Sequence, residues 1–358
     1  MRIVVDVTPL AMPLTGIGNY VLAMLRSLAE AGEEHELVAF SPVGPRGARR
    51  IQRTLNGMPV QRRLVVVPPS SHLWRTGWSR LGHPAVESLV GRFDVFHFSD
   101  WMYPAQRHGV RATTIHDLFP LHFPDLVHPR TYRMHGRKYE HAAQSCDVVI
   151  VNSTFTAADV EETLGVPRER ITVAPPAVDP GFAPEGPEED LGGPYVLTVS
   201  TLEARKNLET LVRAMHLVRK QQPQLRLAVS GAEGWQAPSL GEQWIDALGF
   251  TDGARLQRLY RGAAVFVYPS RFEGFGMPIV EGMASGTPVV ASAHASLDDA
   301  SGSAALRADP DSSEAFADAI MEALDRGEAL VPRGLEHARR FTQRAMGEAV
   351  LRGYAAAR

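Results

Sequence analysis

A single cysteine, Cys146, stands in 358 residues. No internal disulfide can form from it, and a cysteine-based zinc cluster is excluded as well. Its setting, Cys-Asp-Val-Val-Ile-Val151, reads as a strand edge where a lone thiol simply packs. The chain also lacks an uninterrupted apolar run long enough to cross a bilayer. Met1-Arg-Ile-Val-Val-Asp6 opens directly as a strand, without a signal peptide's apolar core, so the expected location is the cytoplasm. Nor does either sign of charge dominate: 37 Lys and Arg face 40 Asp and Glu, for a formal net charge of −3. Without a basic excess to neutralise phosphates, no nucleic-acid partner is expected. Repeats and low-complexity tracts are missing too.

What the chain does contain is an alternation of strands and helices, and it occurs twice. Apolar, β-branched segments at Ile3–Val7, Glu36–Phe40, Leu64–Val67, Val95–Phe98, Ala112–Ile115, Val148–Val151 and Ile171–Val173 read as strands. Helical periodicity fits Gly18–Ala31, Arg130–Ser145 and Thr156–Leu164. This alternation predicts a parallel sheet covered on both faces. Asp179–Pro194, rich in proline, glycine and acid, then reads as a linker. In the second half, strands are expected at Tyr195–Val199, Leu225–Val229, Trp244–Leu248, Val265–Ser270 and Pro288–Ala291. Helices are expected at Leu208–Gln221, Ala254–Arg261 and Ser313–Asp325. The predicted division is a first domain over 1–180, a linker over 181–194, a second domain over 195–341, and a last helix over 342–358 that packs back on the first domain. The fold class is α/β: two open Rossmann-like domains facing across a cleft, with ligand loops at the carboxyl ends of the strands.

The most informative stretch is Glu273-Gly-Phe-Gly-Met-Pro-Ile-Val-Glu281. One carboxylate precedes two glycines, a proline marks a helix start, and a second carboxylate lies inside that helix. A strand running through such a loop into a helix points backbone N–H groups at the open end of the sheet, which suits phosphate. Glu273 would repel phosphate, so it is better placed to accept hydrogen bonds from the hydroxyls of a neighbouring group such as a sugar. Upstream, Thr201-Leu-Glu-Ala-Arg205-Lys206-Asn-Leu208 follows the first strand of the second domain. Two cations before a helix whose expected cap is Asn207 oppose the helix dipole. An anionic ligand gives their placement a reason, with the Arg205 fork and the Lys206 point charge sharing its oxygens.

The first domain is less legible. Gly16 and Gly18, in Thr15-Gly-Ile-Gly-Asn-Tyr20, make an incomplete dinucleotide fingerprint, because Val21 stands where a third glycine belongs. A loop without side chains can nevertheless approach a ligand closely. His116 ends a strand, where open α/β sheets present functional residues. A sugar hydroxyl or a phosphate suits it, while plain packing is the commoner fate of a lone histidine; His97, His122 and His128 have weaker cases. Arg46, Arg49, Arg50, Arg53, Arg62 and Arg63 precede Trp74-Arg75-Thr-Gly-Trp78-Ser-Arg80. This run reads first as a solvated basic face, and second as a surface with exposed aromatics suited to anionic lipid.

Together these residues resemble the retaining glycosyltransferases of family four, which have the GT-B fold, over nearly the whole chain. Glu273 and Glu281 match the family's Glu-x7-Glu motif, embedded in Pro-Ser-Arg-Phe-Glu-Gly-Phe-Gly-Met-Pro-Ile-Val-Glu-Gly-Met-Ala-Ser-Gly-Thr-Pro-Val. The resemblance implies that Arg205 and Lys206 hold the donor's diphosphate and that Gly16 and Gly18 lie beside donor and acceptor. It implies that His116 lines the reacting sugar and that Glu273 contacts its hydroxyls. The backbone of Gly274, Phe275, Gly276 and Met277 would lie nearby, with Glu281 on the ribose. Two departures stand out. Ser200 occupies a position where many relatives carry Arg, and residues 232–243 leave room for only a short helix or none.

No Asp-x-Asp pair stands where a GT-B enzyme would need one, so metal independence is expected. The expectation is a donor that is a nucleotide-diphosphate sugar, with no separate cofactor. Thr-Leu-Glu-Ala-Arg-Lys-Asn resembles the Glu-Pro-Arg-Lys-Asn variant of bacterial mannosyltransferases in surface-polysaccharide pathways. GDP-mannose is therefore the first expectation, ahead of UDP- and dTDP-sugars, with a glycan or lipid-linked acceptor. The lipid-linked case carries with it a peripheral contact at the inner face of the membrane. A sugar-nucleotide epimerase of GT-B type is the alternative enzyme. A NAD-dependent oxidoreductase is disfavoured by the incomplete glycine fingerprint, and a lectin-like module would not need the phosphate-binding set.

Overall fold

The computed structural model describes residues 1–358 other than 13, 15, 67–76, 79–82, 100–104, 233 and 235–239. Two compact units emerge: Met1–His122, Pro129–Ala177 and Phe341–Arg358 form the first, Phe123–His128 and Val178–Arg340 the second. The division falls after Ala177 rather than after residue 180, and 123–128 belongs with the second unit. A physical reason for the latter is Phe123, whose ring meets that of Phe272 edge-on at 5.7 Å.

In the first unit, strands β1 (Arg2–Asp6), β2 (Glu36–Val43), β3 (Gln61–Val66), β4 (Val95–Phe98), β5 (Val110–Ile115), β6 (Val148–Val151) and β7 (Ile171–Val173) form one sheet. Their order is β3-β2-β1-β4-β5-β6-β7, and every pairing is parallel. Helices α1 (Gly16–Ala31), α2 (Pro45–Thr54), α3 (Pro129–Ser145) and α4 (Thr154–Leu164) accompany it. Both faces of the sheet are covered, which is why its strands read as apolar runs without polar alternation. Ile3 and Val5 bury into a core shared with Val21, Leu25 and Leu28 of α1, whereas Val4 faces a core that includes Tyr139 of α3 and Val160 of α4. Cys146 is buried there, and burial pushes its thiol up to about 12, so it is a packing residue.

In the second unit, β8 (Tyr195–Val199), β9 (Arg226–Ser230), β10 (Ile245–Gly249), β11 (Val265–Tyr268), β12 (Val289–Ser292) and β13 (Leu306–Ala308) run parallel in the order β10-β9-β8-β11-β12-β13. Its helices include α5 (Leu208–Val218), α6 (Gly253–Gly262), α7 (Met277–Ala284) and α8 (Ser313–Ala338). The last of these continues well past Asp325, where the sequence pattern ends it, and carries Pro332 inside. Leu330, Gly334 and Ala338 are buried on this extension, so packing outweighs the hydrogen bond that proline removes. Segment 181–194 is bound along α6. Glu189 pairs with Arg255 at 2.8 Å and Arg258 at 2.9 Å, and Arg261 Nε donates to the Pro187 carbonyl.

The final helix, α9 (Gln343–Ala356), is part of the first unit. Met346, Ala349, Val350 and Tyr354 join the core that α1 lines. The Tyr354 hydroxyl lies 2.7 Å from His97 Nδ1, and His97 Nε2 lies 2.9 Å from Thr114 Oγ1, which settles His97 as a buried structural group.

Candidate active site

Strands β8 and β11 are neighbours at the centre of the second sheet, and the strand order departs in opposite directions from them. Loops leaving the carboxyl ends at such a switch point diverge and leave room for a ligand. The loop after β8 carries Glu203 and a 3-10 turn, Ala204–Lys206, and the loop after β11 carries Pro269 to Gly276. Their backbones are joined, since Arg271 N–H donates to the Arg205 carbonyl at 2.9 Å.

Four charged side chains meet there. Lys206 Nζ lies 2.5 Å from Glu273 Oε1, Arg205 Nη1 3.0 Å from Glu273 Oε2, and Arg205 Nε 2.7 Å from Glu203 Oε1. Lys206 also donates to the Tyr268 hydroxyl at 3.0 Å, Arg205 donates to the Phe272 carbonyl at 3.2 Å, and Ser270 Oγ donates to Glu273 Oε1. Burial alone would raise the Glu273 carboxyl, but Arg205, Lys206 and the hydrogen bonds from Lys206 and Ser270 bring it down to about 2. It is a carboxylate at every physiological pH. Burial and the neighbouring Arg205 together lower Lys206, while Glu273 opposes them. The Glu273 N–H donates to Ser296 Oγ at 3.0 Å, and Ser296 is in turn held by His294 Nδ1 at 2.8 Å, so the loop after β12 props the acid.

Asn207 is not the side-chain cap that its position suggested. It adopts a left-handed conformation, φ +57°, and its amide donates to the carbonyls of Pro269 and Pro310 at 3.1 and 2.8 Å. Stitching three loops together outweighs capping α5.

Gly276 precedes α7 with φ +95°, and a Cβ there would stand 2.7 Å from Leu297 Cδ2. Only glycine turns the chain so tightly into the helix. Gly274, Phe275 and Gly276 are buried, Met277 is half-buried, and the first-turn N–H groups of α7 follow directly. On this helix Glu281 Oε2 accepts from the Tyr260 hydroxyl at 3.1 Å. Burial pushes the Glu281 carboxyl up to about 7, against the Tyr260 hydrogen bond and helped by Asp179. One motif thus holds two acids with opposite proton affinities. Glu273 is fixed as an anion, and Glu281 takes or loses its proton near neutrality.

In the first unit, Gly16 opens α1 in an exposed position and Gly18 is buried in its first turn. His116 follows β5. Its Nδ1 accepts from Asn152 Nδ2 at 3.1 Å, the Tyr20 ring stands edge-on at 4.7 Å, and among the described residues its buried Nε2 has no hydrogen-bond partner. Burial and then Lys138 press His116 down to about 3, beyond the opposing effect of Asn152, and His135 and His97 add to this. The imidazole is neutral at physiological pH with its proton on Nε2, so it can donate a hydrogen bond but cannot cycle a proton near pH 7. His122 is taken up by Asp159 at 2.8 Å.

Arg46, Arg49, Arg50 and Arg53 are exposed on α2, whose apolar side is reduced to Ala48 and Ile51, and Arg62 is exposed on β3. The aromatic half of this patch differs from expectation. Trp78 is buried against Phe40, its Nε1 donating to the Pro84 carbonyl at 2.8 Å, because so large an apolar ring is better spent in the core. The side chain of Arg63, together with Trp74, Arg75 and Arg80, lies outside the described residues. So does half of the 232–243 segment, namely 233 and 235–239.

Residues 14–182 match the family model described as Glycosyltransferase Family 4, and residues 193–326 match that of Glycosyl transferases group 1. The O-antigen chain mannosyltransferase B of Escherichia coli is 30% identical over 96% of this chain and 96% of its own length. This chain belongs to the family 4 glycosyltransferases. The D-inositol 3-phosphate glycosyltransferase of Arthrobacter sp. strain FB24 is 27% identical over 77% of this glycosyltransferase and 73% of its own length. Among solved structures, sucrose-phosphate synthase of Thermosynechococcus elongatus superposes with a TM-score of 0.72 at 21% identity, covering 99% and 98% of the two chains. HepE of Anabaena in complex with UDP and glucose gives 0.67 at 14% identity, covering 98% of each. These likenesses establish the fold as GT-B, two parallel-sheet α/β domains. Among the described residues, no helix of this glycosyltransferase is long and apolar enough to cross a membrane.

Glu203, Tyr260, Ser270, Ser296 and Asn152 were missed from sequence. Glu203 and Ser270 lie inside the two motifs and adjacency could have flagged them. Asn152 and Ser296 carry no local signal, because only the sheet brings them to their partners.

Proposed function

We propose that this enzyme moves a hexose, mannose in first place, from a nucleotide-diphosphate sugar to a glycan or lipid-linked acceptor, with retained configuration and without a metal ion. The observation that carries this reading is the Arg205–Lys206–Glu273 cluster at the switch point of the second sheet, two cations and an obligate carboxylate within hydrogen-bond reach of each other. As the sugar–phosphate bond loosens, negative charge gathers on the diphosphate and positive charge on the anomeric carbon. Arg205, Lys206 and the first N–H groups of α7 are suited to the former. Glu273, ionised throughout, accepts sugar hydroxyls and favours the latter. His116 donates from Nε2 to an oxygen of the sugar or its phosphate. Catalysis of this kind is positioning and charge compensation, and the departing phosphate takes the acceptor's proton. The name of the Escherichia coli relative supports mannose and a polysaccharide acceptor, while HepE, in complex with UDP and glucose, keeps UDP-sugars in view.

A thermal-shift screen against GDP, UDP and dTDP tests the donor, since a ligand at a hundredfold excess over its Kd adds about 2.7 kcal/mol. The selected donor, incubated without acceptor and with EDTA, is expected to give only slow hydrolysis. Rearrangement of the sugar in that mixture would convert the assignment to an epimerase. Peripheral contact with the inner face of a membrane, through Arg46, Arg49, Arg50, Arg53 and Arg62, completes the reading for a lipid-linked acceptor. Flotation with vesicles is expected to depend on anionic lipid, and equal recovery with neutral vesicles would remove the contact.

Glu281 gives a pH signature. Above its value of about 7 the carboxylate accepts ribose hydroxyls, and below it the neutral acid is a weaker acceptor. Nucleotide affinity is expected to rise between about pH 6 and about pH 8 in the wild type, and the part of that rise due to Glu281 disappears in Glu281→Gln. Parallel titrations with the same slope in both proteins would take Glu281 off the ribose.

A further inference from the structure

The cations proposed to hold the diphosphate are already neutralised by their own chain. Arg205 and Lys206 face Glu203 and Glu273 at 2.5 to 3.0 Å, so two positive and two negative groups close on one another. The side chains of Lys206 and Glu273 are only 8% and 10% exposed, so solvent screens this cluster weakly. An incoming diphosphate meets no net positive charge. It competes with two carboxylates for the cations, and a displaced buried carboxylate must find other donors or remain unsatisfied. The two acids differ in this respect. Glu203 binds the Nε edge of Arg205 alone, whereas Glu273 spans both cations and sits within the loop leading into α7. Hydroxyl donors are what the sugar end of a nucleotide-diphosphate sugar carries and what a nucleoside diphosphate has lost there.

We propose that Glu273 is a counter-ion gate that makes the site discriminate the nucleotide-diphosphate sugar from the nucleoside diphosphate left after transfer. With a sugar present, its hydroxyls satisfy Glu273 and release Arg205 and Lys206 to the diphosphate. After transfer the hydroxyls leave, Glu273 returns to the cations, and the product is expelled. Glu203 plays no part in this exchange; it is the positioning residue that fixes the Arg205 fork. The inference rests on the donor-binding reading given above.

Isothermal titration of wild type, Glu273→Gln and Glu203→Gln with GDP, GDP-mannose, UDP and UDP-glucose tests it. The wild type is expected to bind the sugar-bearing form of its nucleotide roughly tenfold tighter than the bare diphosphate, equivalent to about 1.4 kcal/mol. Glu273→Gln is expected to tighten the bare diphosphate by roughly tenfold and to bring the two forms within about twofold of each other. Glu203→Gln removes a counter-ion without touching the sugar, so its preference for the sugar-bearing form is preserved. If circular dichroism shows that Glu273→Gln does not fold, Glu273→Asp replaces it, since the shorter carboxylate cannot span both cations and the same direction is expected. Bare-diphosphate affinity that is unchanged or weaker in the folded variant overturns the gate alone. Absence of nucleotide binding to the wild type overturns the donor-binding reading, and the gate with it.

Discussion

Turnover in the Arg205→Ala, Lys206→Ala double variant is expected to fall by roughly two orders of magnitude or more. Each cation aimed at a developing oxyanion is worth roughly 2–4 kcal/mol of transition-state stabilisation. Their contributions are coupled, because Arg205 and Lys206 share Glu273, so the double variant will lose less than the sum of the single ones. Lys206→Ala alone carries a structural cost as well. It leaves Glu273 with Arg205, Ser270 and the Tyr268 hydroxyl, inside a site where burial already opposes its charge. In the wild type the depressed Glu273 carboxyl contributes stability that is fully present above about pH 4.5 and is lost as pH falls toward about 2. Removing Lys206 narrows that window, so the melting temperature near pH 5 should drop more in the variant than in the wild type. Lys206→Arg is not a rescue, since a planar fork does not replace an ammonium held between the Tyr268 hydroxyl and Glu273. Kinetics at saturating donor, well below the melting temperature, separate the two effects. A double variant with unaltered turnover would refute the assignment of both cations.

The second large effect is expected at a glycine outside the charged cluster. Gly231 directly follows β9 with φ +158°, and a Cβ there would stand 1.6 Å from the Ser200 carbonyl oxygen. Ser200 N–H donates to the Ser230 carbonyl at 2.9 Å, and the chain runs from Ser200 into Glu203, Arg205 and Lys206. Gly231→Ala must therefore push the cation loop off the sheet edge or shift β9. The expected destabilisation is about 2–4 kcal/mol from backbone strain and overpacking combined. Nucleotide affinity should fall with it. Gly249→Ala is the control: φ is +65° there but a Cβ would meet nothing within 4 Å, so it reports the backbone strain without the collision. Equal melting temperatures for the two variants would show that the loop tolerates the displacement.

Much of this was legible beforehand. Strands buried on both faces leave continuous apolar runs, and ten of them could be drawn close to their final bounds from patterning alone. The cation pair and Glu273 could be singled out from side-chain type and from placement beside a glycine loop, and the fold brings them together. Patterning failed where long-range contacts overrode it. A proline and weak periodicity argue against the later part of α8, yet burial of Leu330, Gly334 and Ala338 carries it to residue 338. Only Ala48 and Ile51 mark α2 as helical, beneath a surface of arginines. Asn207 has the residue type of a cap, but its amide reaches Pro310, 103 positions away.

Residue types and their spacing are enough to read the parallel α/β architecture, the family, and the identity of the acids and bases that gather in the second unit. Their residue types and loop positions are local properties, and local properties survive in one dimension. Tertiary structure alone decided that Glu273 would span Arg205 and Lys206, that Glu281 would hold its proton to about 7, and that His116 would be kept neutral by burial. Proton affinities and ion pairs depend on distance and on exclusion of water. Both are set when β8 and β11 come to lie side by side, 60 and more residues apart along the chain.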